Sequence, residues 1–443
     1  MTSLISPELI GFPPGPNWAK LAGVNVELIN TGSELLLGRV LNTHQQWLCR
    51  RLSDLGYTVG RQVAVPDAGP EIQQAVREAL SRADLVIVTG GLGPTSDDIT
   101  RELMAELLGR KLRLDEAILA ELKGFFAARK RPMPAINEVQ AMVPEGATVL
   151  ANPFGTAPGL AMPVQPNPFR PGGPGSWLVM LPGPPRELRP MFDDTVTPLI
   201  RREFPLAEPF VCRTLRTSGV GESAVQELIA GPLTGLVAAG LGVGYCARVG
   251  QVDVRLAAQG AAAEAVVREA ETVVQGLLRA NIYGCDDEEM ETAAVRLLTE
   301  RNKTLALAES CTGGAIAHLI TNVPGASAVL LGGYVTYSNV SKQINLGVRA
   351  ETLAAHGAVS EAAAREMAEG ARARLGADFA IAVTGIAGPS GGSKEKPAGT
   401  VFLALAGGFG TEVQHKVNAY ERAAFKQLTA QQALEMLRRR LVG

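Results

Sequence analysis

The sequence predicts an α/β protein of more than one domain, with parallel sheets and crossover helices in its first and last thirds. Three observations lead there. At 443 residues the chain is too long for one core, and about 150 residues per domain gives a prior near three domains. Strand-like apolar runs alternate with helically spaced ones from residue 24 to residue 107, the pattern of strand–helix–strand units. The alternation returns after residue 290. Composition agrees: 46% hydrophobic and 19% charged residues mark a globular chain. The 49 glycines and 28 prolines predict many tight turns and close backbone approaches.

The segment through Lys20 carries four prolines without periodicity and reads as an arm, so residues 1–23 are set apart as an extension. Val24 to Ile29 forms the first strand and ends in Thr31-Gly32-Ser33. Trp47, Leu48, Leu52 and Leu55 fall at helical spacing, Tyr57 to Val65 reads as a strand, and Ile72 to Leu80 as a helix. Asp84 to Val88 is a short buried strand that runs into Thr89-Gly90-Gly91, with a further helix from Thr100. The glycine- and proline-rich stretch from Asn152 to Pro174 reads as a surface loop. Trp177 to Leu181 resumes as strand, followed by a helix from about Glu187 to Arg202.

A domain boundary falls near Pro205. The next unit reads as α+β: strand Phe210–Arg216, helix Glu222–Ile229, a hairpin of Gly242–Arg248 and Gln251–Ala257, and helix Ala261–Leu278. A second boundary falls at Gly284–Asp287. The last unit alternates again, with strand Thr304–Ala308, a helix from Cys311, strand Val329–Tyr337, helix Glu361–Leu375, strands Phe379–Thr384 and Thr400–Ala406, and a basic final helix. The predicted domains are therefore 24–205, 206–285 and 286–443.

Charge and cysteines exclude several classes. Lys+Arg minus Asp+Glu is 42 − 44 = −2, which argues against a protein built to neutralise nucleic-acid phosphates. Five scattered cysteines without CxxC spacing support neither a disulfide framework nor structural zinc. No run approaches the roughly 20 apolar residues of a membrane helix, and no secretory signal opens the chain. A cytoplasmic protein without membrane partners is expected.

Two constellations carry chemistry. In the first, Thr89-Gly90-Gly91-Leu92-Gly93-Pro94-Thr95-Ser96-Asp97-Asp98 follows a parallel strand and opens a helix, the edge at which open α/β sheets bind ligands. Gly90, Gly91 and Gly93 let the backbone approach a bulky anion, and N–H groups at a helix start favour phosphate. Adjacent carboxylates beside phosphate suit a divalent cation. A glycine turn with an aspartate cap on the next helix would look the same. Glu34 and Asp67 lie after the first and second strands on the same edge. Glu34, Asp67, Asp97 and Asp98 could bind metal or orient water for phosphoryl chemistry, and spacing does not divide the roles.

In the second, Glu309-Ser310-Cys311-Thr312-Gly313-Gly314 is a strand-to-helix turn with a hydroxyl at the bend, the arrangement that exposes a nucleophile beside backbone N–H groups. Ser310 needs a base: His318, His356, His415, or Lys342, a lysine able to act if its pKa is depressed in a poorly solvated pocket. Tyr337 could hold or relay the proton. The bland alternatives are a helix cap for Ser310, a solvated helix face for Lys342 and a small buried thiol for Cys311.

These motifs carry a resemblance. The TGGLGPTSDD run, Pro66-Asp67, Asn152 to Gly159 and Leu181 to Glu187 resemble the amino-terminal part of the CinA, competence/damage-inducible family, itself similar to the molybdopterin-binding fold of MogA and MoeA. The resemblance implies that Asp67 and Asp98 match the acidic positions of those relatives. It also implies metal-dependent hydrolysis of the ADP-ribose pyrophosphate, with Glu34, Asp97 and Asp98 as ligands of an ion of the Mg, Co or Mn class and Gly90, Gly91, Gly93 and Thr95 on the substrate. ESCTGG, VTYSN with its following lysine, HGAVSE, TGIAGPSGG and Lys396-Pro397-Ala398-Gly399-Thr400 resemble the CinA carboxyl-terminal domain and the PncC nicotinamide-nucleotide amidases. That implies a cofactor-free amidase that converts nicotinamide mononucleotide to nicotinic acid mononucleotide and ammonia. Ser310 would be its nucleophile, Lys342 its base and Tyr337 an assisting hydroxyl, with Gly313, Gly314, Thr384, Gly385 and Lys396 toward substrate. The middle unit, implied to be KH-like, lacks GXXG spacing at Ser218-Gly219-Val220-Gly221, which argues against direct nucleic-acid binding. It reads as a spacer or as the dimerisation element of a homodimer. The rival reading is a non-enzymatic pterin- or nucleotide-binding domain in a scaffold for DNA uptake or repair.

Overall fold

The computed structural model describes residues 23–443; the amino-terminal arm through residue 22 lies outside them. The described residues divide into two compact units, one of 23–212 with 259–263 and one of 213–258 with 264–443.

In the first unit, strands β1 (Asn25–Thr31), β2 (Thr58–Val65), β3 (Leu85–Thr89), β6 (Thr148–Leu150), β7 (Gly159–Val164) and β8 (Ser176–Leu181) build one sheet, in the order β2-β1-β3-β8-β7-β6. β4 (Leu112–Leu114) and β5 (Met142–Pro144) form a separate antiparallel ribbon. β1, β2, β3 and β8 run parallel, and β7 is antiparallel to both neighbours. β3 is apolar from Leu85 to Val88 because both of its faces are covered: Leu85 and Ile87 pack in one core and Val86 and Val88 in the other. Helix Thr43–Asp54 begins at Asn42, whose side chain accepts from the Gln45 N–H, and it buries Leu48 and Leu52 in the first of these cores. The helix expected from Glu187 to Arg202 runs from Pro185 to Glu203 with a π turn at Phe192–Val196. Pro190 and Pro198 flank that turn and withhold N–H donors from the ladder.

One expectation here is corrected. The stretch read as a surface loop, Asn152 to Pro174, contains β7, a buried strand inside the sheet. Pro163 obscured it. It lies beyond the β6 pairing, which ends at Gly159–Ala161, so β7 has a neighbour on one side only there and tolerates a missing N–H.

The second unit opens with a four-stranded sheet in the order β10-β11-β9-β12, from β9 (Phe210–Ser218), β10 (Gly242–Arg248), β11 (Gln251–Gln259) and β12 (Ile282–Cys285). Helices Glu222–Ala238 and Ala263–Leu278 accompany it. The segment taken as a boundary, Gly284–Asp287, is partly strand: Gly284 pairs with Arg216 and Cys285 with Leu215.

The last sheet, β14-β13-β15-β16-β17, consists of β13 (Leu305–Glu309), β14 (Leu330–Val335), β15 (Phe379–Gly385), β16 (Thr400–Gly407) and β17 (Gly410–Val417). β13, β14 and β15 are parallel; β16 and β17 are antiparallel additions. Its two faces differ in side-chain size. Leu305, Leu307, Ile381 and Val383 face a large core shared with helices Met290–Glu300, Ala315–Thr321 and Arg422–Val442. Ala306, Ala308, Ala380, Ala382, Ala404 and Ala406 face the other side and pack on Ala364, Ala368 and Ala371 of helix Glu361–Leu375. An alanine face lets that helix approach the strands closely.

Candidate active site

β13 ends at Glu309, and the chain turns sharply. The Ser310 N–H donates to the Val383 carbonyl at 3.0 Å, which ties the bend to β15. Gly313 and Gly314 take left-handed φ of 62° and 94°, so the helix expected from Cys311 starts instead at Ala315. The buried Glu309 carboxylate then accepts from the N–H groups of Gly314 at 2.9 Å, Ile316 at 3.2 Å and Ala317 at 2.8 Å. It thereby satisfies orphan donors of the first helical turn and fixes the bend from within. Ser310 is not the cap. The N–H groups of Cys311 and Thr312 follow Ser310 directly and bear on the Cys311 sulfur; among the described residues no oxygen accepts from them.

Lys342 comes from helix Asn339–Leu346, which Ser338 caps by accepting from the Ser341 N–H. Its side chain turns inward and is only 1% exposed. The Nζ lies 3.0 Å from Ser310 Oγ and donates to the Thr336 carbonyl at 2.7 Å. Burial lowers its pKa below the ordinary lysine value. A neutral amine in this geometry spends an N–H on Thr336 and turns its lone pair to the Ser310 hydroxyl. The solvated-face alternative is thereby excluded.

The rival bases stand elsewhere. His318, His356 and His415 are all exposed; His318 sits beside the Asn322 amide and His415 stacks on Phe402. The Cys311 thiol is buried in the large core, and desolvation pushes its pKa up to about 12, which leaves it inert.

A cavity of about 200 Å³ opens over Ser310 and Lys342, and Tyr337, Thr384, Gly385 and Arg422 share its walls. Thr384 is buried and its hydroxyl donates to the Ala358 carbonyl at 2.8 Å. A side chain at Gly385 would press within 2.7 Å of the Thr400 carbonyl oxygen. Two expectations change here. Tyr337 is 62% exposed and accepts from Arg422 at 2.8 Å, so it stands at the cavity mouth and not between Ser310 and Lys342. Lys396 donates to the His356 carbonyl at 2.8 Å and does not line the cavity; Arg422 supplies the cation there, also donating to the Gly388 carbonyl at 3.0 Å. Sequence reasoning missed Arg422 and gave Glu309 no role. Arg422 opens the basic final helix, and no local motif links it to Ser310.

The first constellation is preformed as backbone. Gly90 and Gly91 adopt φ of 102° and 67°; a Cβ on Gly90 would meet the Thr31 carbonyl oxygen at 2.9 Å, and one on Gly91 would overlap the Thr100 hydroxyl. Asp67 accepts from the Ser33 N–H at 2.8 Å, while its own N–H donates to the Ser33 hydroxyl at 3.1 Å. This pair clasps the loops after β1 and β2. Asp98 accepts from the N–H and hydroxyl of Thr95, Gly93 abuts the Asp98 carboxylate, and Asp97 is exposed. The metal expectation does not find a ready ligand set. Among the described residues no three His, Cys, Asp or Glu side chains are gathered to hold an ion; Asp98 is engaged by its own loop, and the Glu34 carboxylate lies over Gly32. No helix of the described residues is long and apolar enough to cross a membrane.

Comparison with known proteins finds three family segments along the chain. Residues 27–202 match the family described as "Probable molybdopterin binding domain", 212–284 the "Damage-inducible protein CinA KH domain" and 287–441 the "CinA C-terminal domain". A CinA-like protein of Akkermansia muciniphila is 46% identical over 93% of this chain and 96% of its own. One from Parasynechococcus marenigrum is 41% identical over 96% and 100%. Among solved structures, the competence/damage-inducible protein CihA of Agrobacterium tumefaciens is 46% identical over 33% of this chain and 93% of its own, with a TM-score of 0.32. With near-complete coverage of such relatives, and with all three family segments in order, this chain belongs to the CinA family.

Proposed function

We propose that the second unit is a serine amidase that releases ammonia from nicotinamide mononucleotide and leaves nicotinic acid mononucleotide. One observation carries the reading: a buried lysine of lowered pKa, 3.0 Å from a serine hydroxyl at a strand-to-helix bend. Ser310 Oγ attacks the amide carbon while its proton passes to Lys342 Nζ. The oxyanion forms beside the Cys311 and Thr312 N–H groups. Lys342 returns the proton to the departing nitrogen, so ammonia leaves and an acyl-serine remains. Water, deprotonated by the same amine, then frees the carboxylate. The cavity of about 200 Å³ is smaller than the usual range for whole ligands. It suits the amide-bearing ring, with the phosphate outside near Arg422.

The test is ammonia release from nicotinamide mononucleotide. Ser310→Ala and Lys342→Ala each drop it by at least about a thousandfold, within the range seen when a catalytic group is removed. Lys342→Arg keeps a charge that cannot be given up and is nearly as inactive, whereas His318→Ala retains the rate. Activity in Lys342→Arg overturns the mechanism. Arg422→Ala raises KM about tenfold or more with kcat less affected, because a charge-assisted contact to phosphate is worth about 1.5–3 kcal/mol.

For the first unit, the reading we carry is nucleotide binding with hydrolysis of the ADP-ribose pyrophosphate. It is supported by the preformed glycine turn at Gly90-Gly91 and the clasped Ser33–Asp67 loops on one sheet edge. ADP-ribose turnover, measured with magnesium, manganese or cobalt and again after chelation, tests it. Binding without turnover under all four conditions supports the rival binding-module reading.

A further inference from the structure

The second unit holds another cavity, of about 450 Å³, between the turns of the middle sheet and the final helix. Ser218 at the end of β9 and Gly250 in the β10–β11 turn form one wall; Lys416 of β17 and Gln431, Gln432 and Arg439 of the helix contribute others. Its volume lies within the usual span of small-molecule sites.

Two kinds of observation point to a ligand there. The first is polar atoms without partners. Ser218 is 4% exposed, and its hydroxyl has no hydrogen bond. The buried Oε1 of Gln431 has none either. Buried polar atoms are paired in the great majority of native positions, and these two line the same space. The second is charge. Glu435, which also lines the cavity, is answered by Arg438 from outside it and by Arg439 within it, and Lys416 has no acidic partner among the described residues. Lys416 and Arg439 against Glu435 leave the lining with one surplus positive charge, which attracts anions.

We propose that this cavity is an effector site for a phosphorylated ribose of mononucleotide size. The phosphate faces Lys416 and Arg439. Ribose hydroxyls donate to Gln431 Oε1 and exchange hydrogen bonds with Ser218. The helix supplying Gln431 begins at Arg422, nine residues and about 14 Å earlier at 1.5 Å per residue, and Arg422 lines the Ser310 cavity. Occupancy therefore bears on the amidase through one rigid element, and this part of the proposal rests on the amidase reading.

Calorimetric titration of the full-length protein with AMP, ribose 5-phosphate and inorganic phosphate tests the site, using wild type, Gln431→Leu and Lys416→Glu. AMP and ribose 5-phosphate are expected to saturate a site in the wild type that weakens at least tenfold in each variant. Ammonia release without AMP stays unchanged in both. AMP shifts the amidase KM at least twofold in the wild type and less in the variants. Absence of saturable binding, equal binding in wild type and variants, or inorganic phosphate binding as tightly as AMP overturns the site. An unmoved KM overturns its effector role. Calorimetry needs no turnover, so a failed amidase reading and a failed site are told apart.

Discussion

Lys342 is a single buried group that bears on stability and, on the proposed amidase reading, on rate. On that reading the active form is the neutral amine, so ammonia release is expected to rise with pH through the lowered pKa of the folded protein and then level off. The stability consequence has a definite sign. An unfolded lysine titrates near 10.4, above the folded value. Between the two the unfolded chain binds the extra proton, and stability rises with pH. Below the folded value the penalty is complete. Lys342→Met is therefore expected to raise Tm most at the low-pH end, with the gain over wild type narrowing toward about pH 10.4. Melting curves of the two proteins from pH 6 to pH 10 check this; a gain that widens with pH contradicts the assigned direction.

At the scale of elements, the position of Lys342 depends on how helices pack on the alanine face. Helix Glu361–Leu375 presents Gly370 to the end of the lysine-bearing helix, where a Cβ would overlap the Leu346 carbonyl oxygen. Gly370→Ala must push that helix away. The expected cost is about 1–3 kcal/mol of stability, as for other overpacked sites, with a tenfold or greater loss of kcat because Lys342 leaves reach of Ser310. Gly276→Ala is the contrast: it lies in helix Ala263–Leu278 with nothing within 4 Å, and the change stabilises by about 0.5–1 kcal/mol. Thermal melts and amidase rates of both variants separate packing from helix propensity.

The whole molecule has two compact units, each with its own candidate site on a strand-to-helix edge. Ser310→Ala abolishes ammonia release and leaves ADP-ribose turnover unchanged. Asp98→Asn is expected to do the reverse, since it removes a negative charge beside the glycine turn while leaving an amide oxygen able to accept from Thr95. Assaying both substrates on both folded variants checks the expectation, and a joint loss contradicts two independent sites.

What the sequence by itself determined was local. β1, β3, β8, β13 and β15 were legible as apolar runs, and both glycine-bearing bends were legible because turns after parallel strands need left-handed residues and leave backbone N–H groups free. Ser310 stood out as a hydroxyl at a bend and Lys342 as one of its candidate bases, while amide chemistry was what the family resemblance implied. Tertiary structure decided the rest. β7 was hidden by Pro163, whose missing N–H matters only when the neighbouring strands are known. The 3.0 Å approach of Lys342 to Ser310, the lowering of its pKa and the exclusion of three histidines follow from burial, which packing creates between segments 32 residues apart. Arg422 reaches the cavity from the far end of the chain and donates to Tyr337, which stands at the cavity mouth. Glu309 illustrates the same division. A glutamate before a serine bend is visible in the sequence, but only the folded turn brings three N–H donors onto its carboxylate.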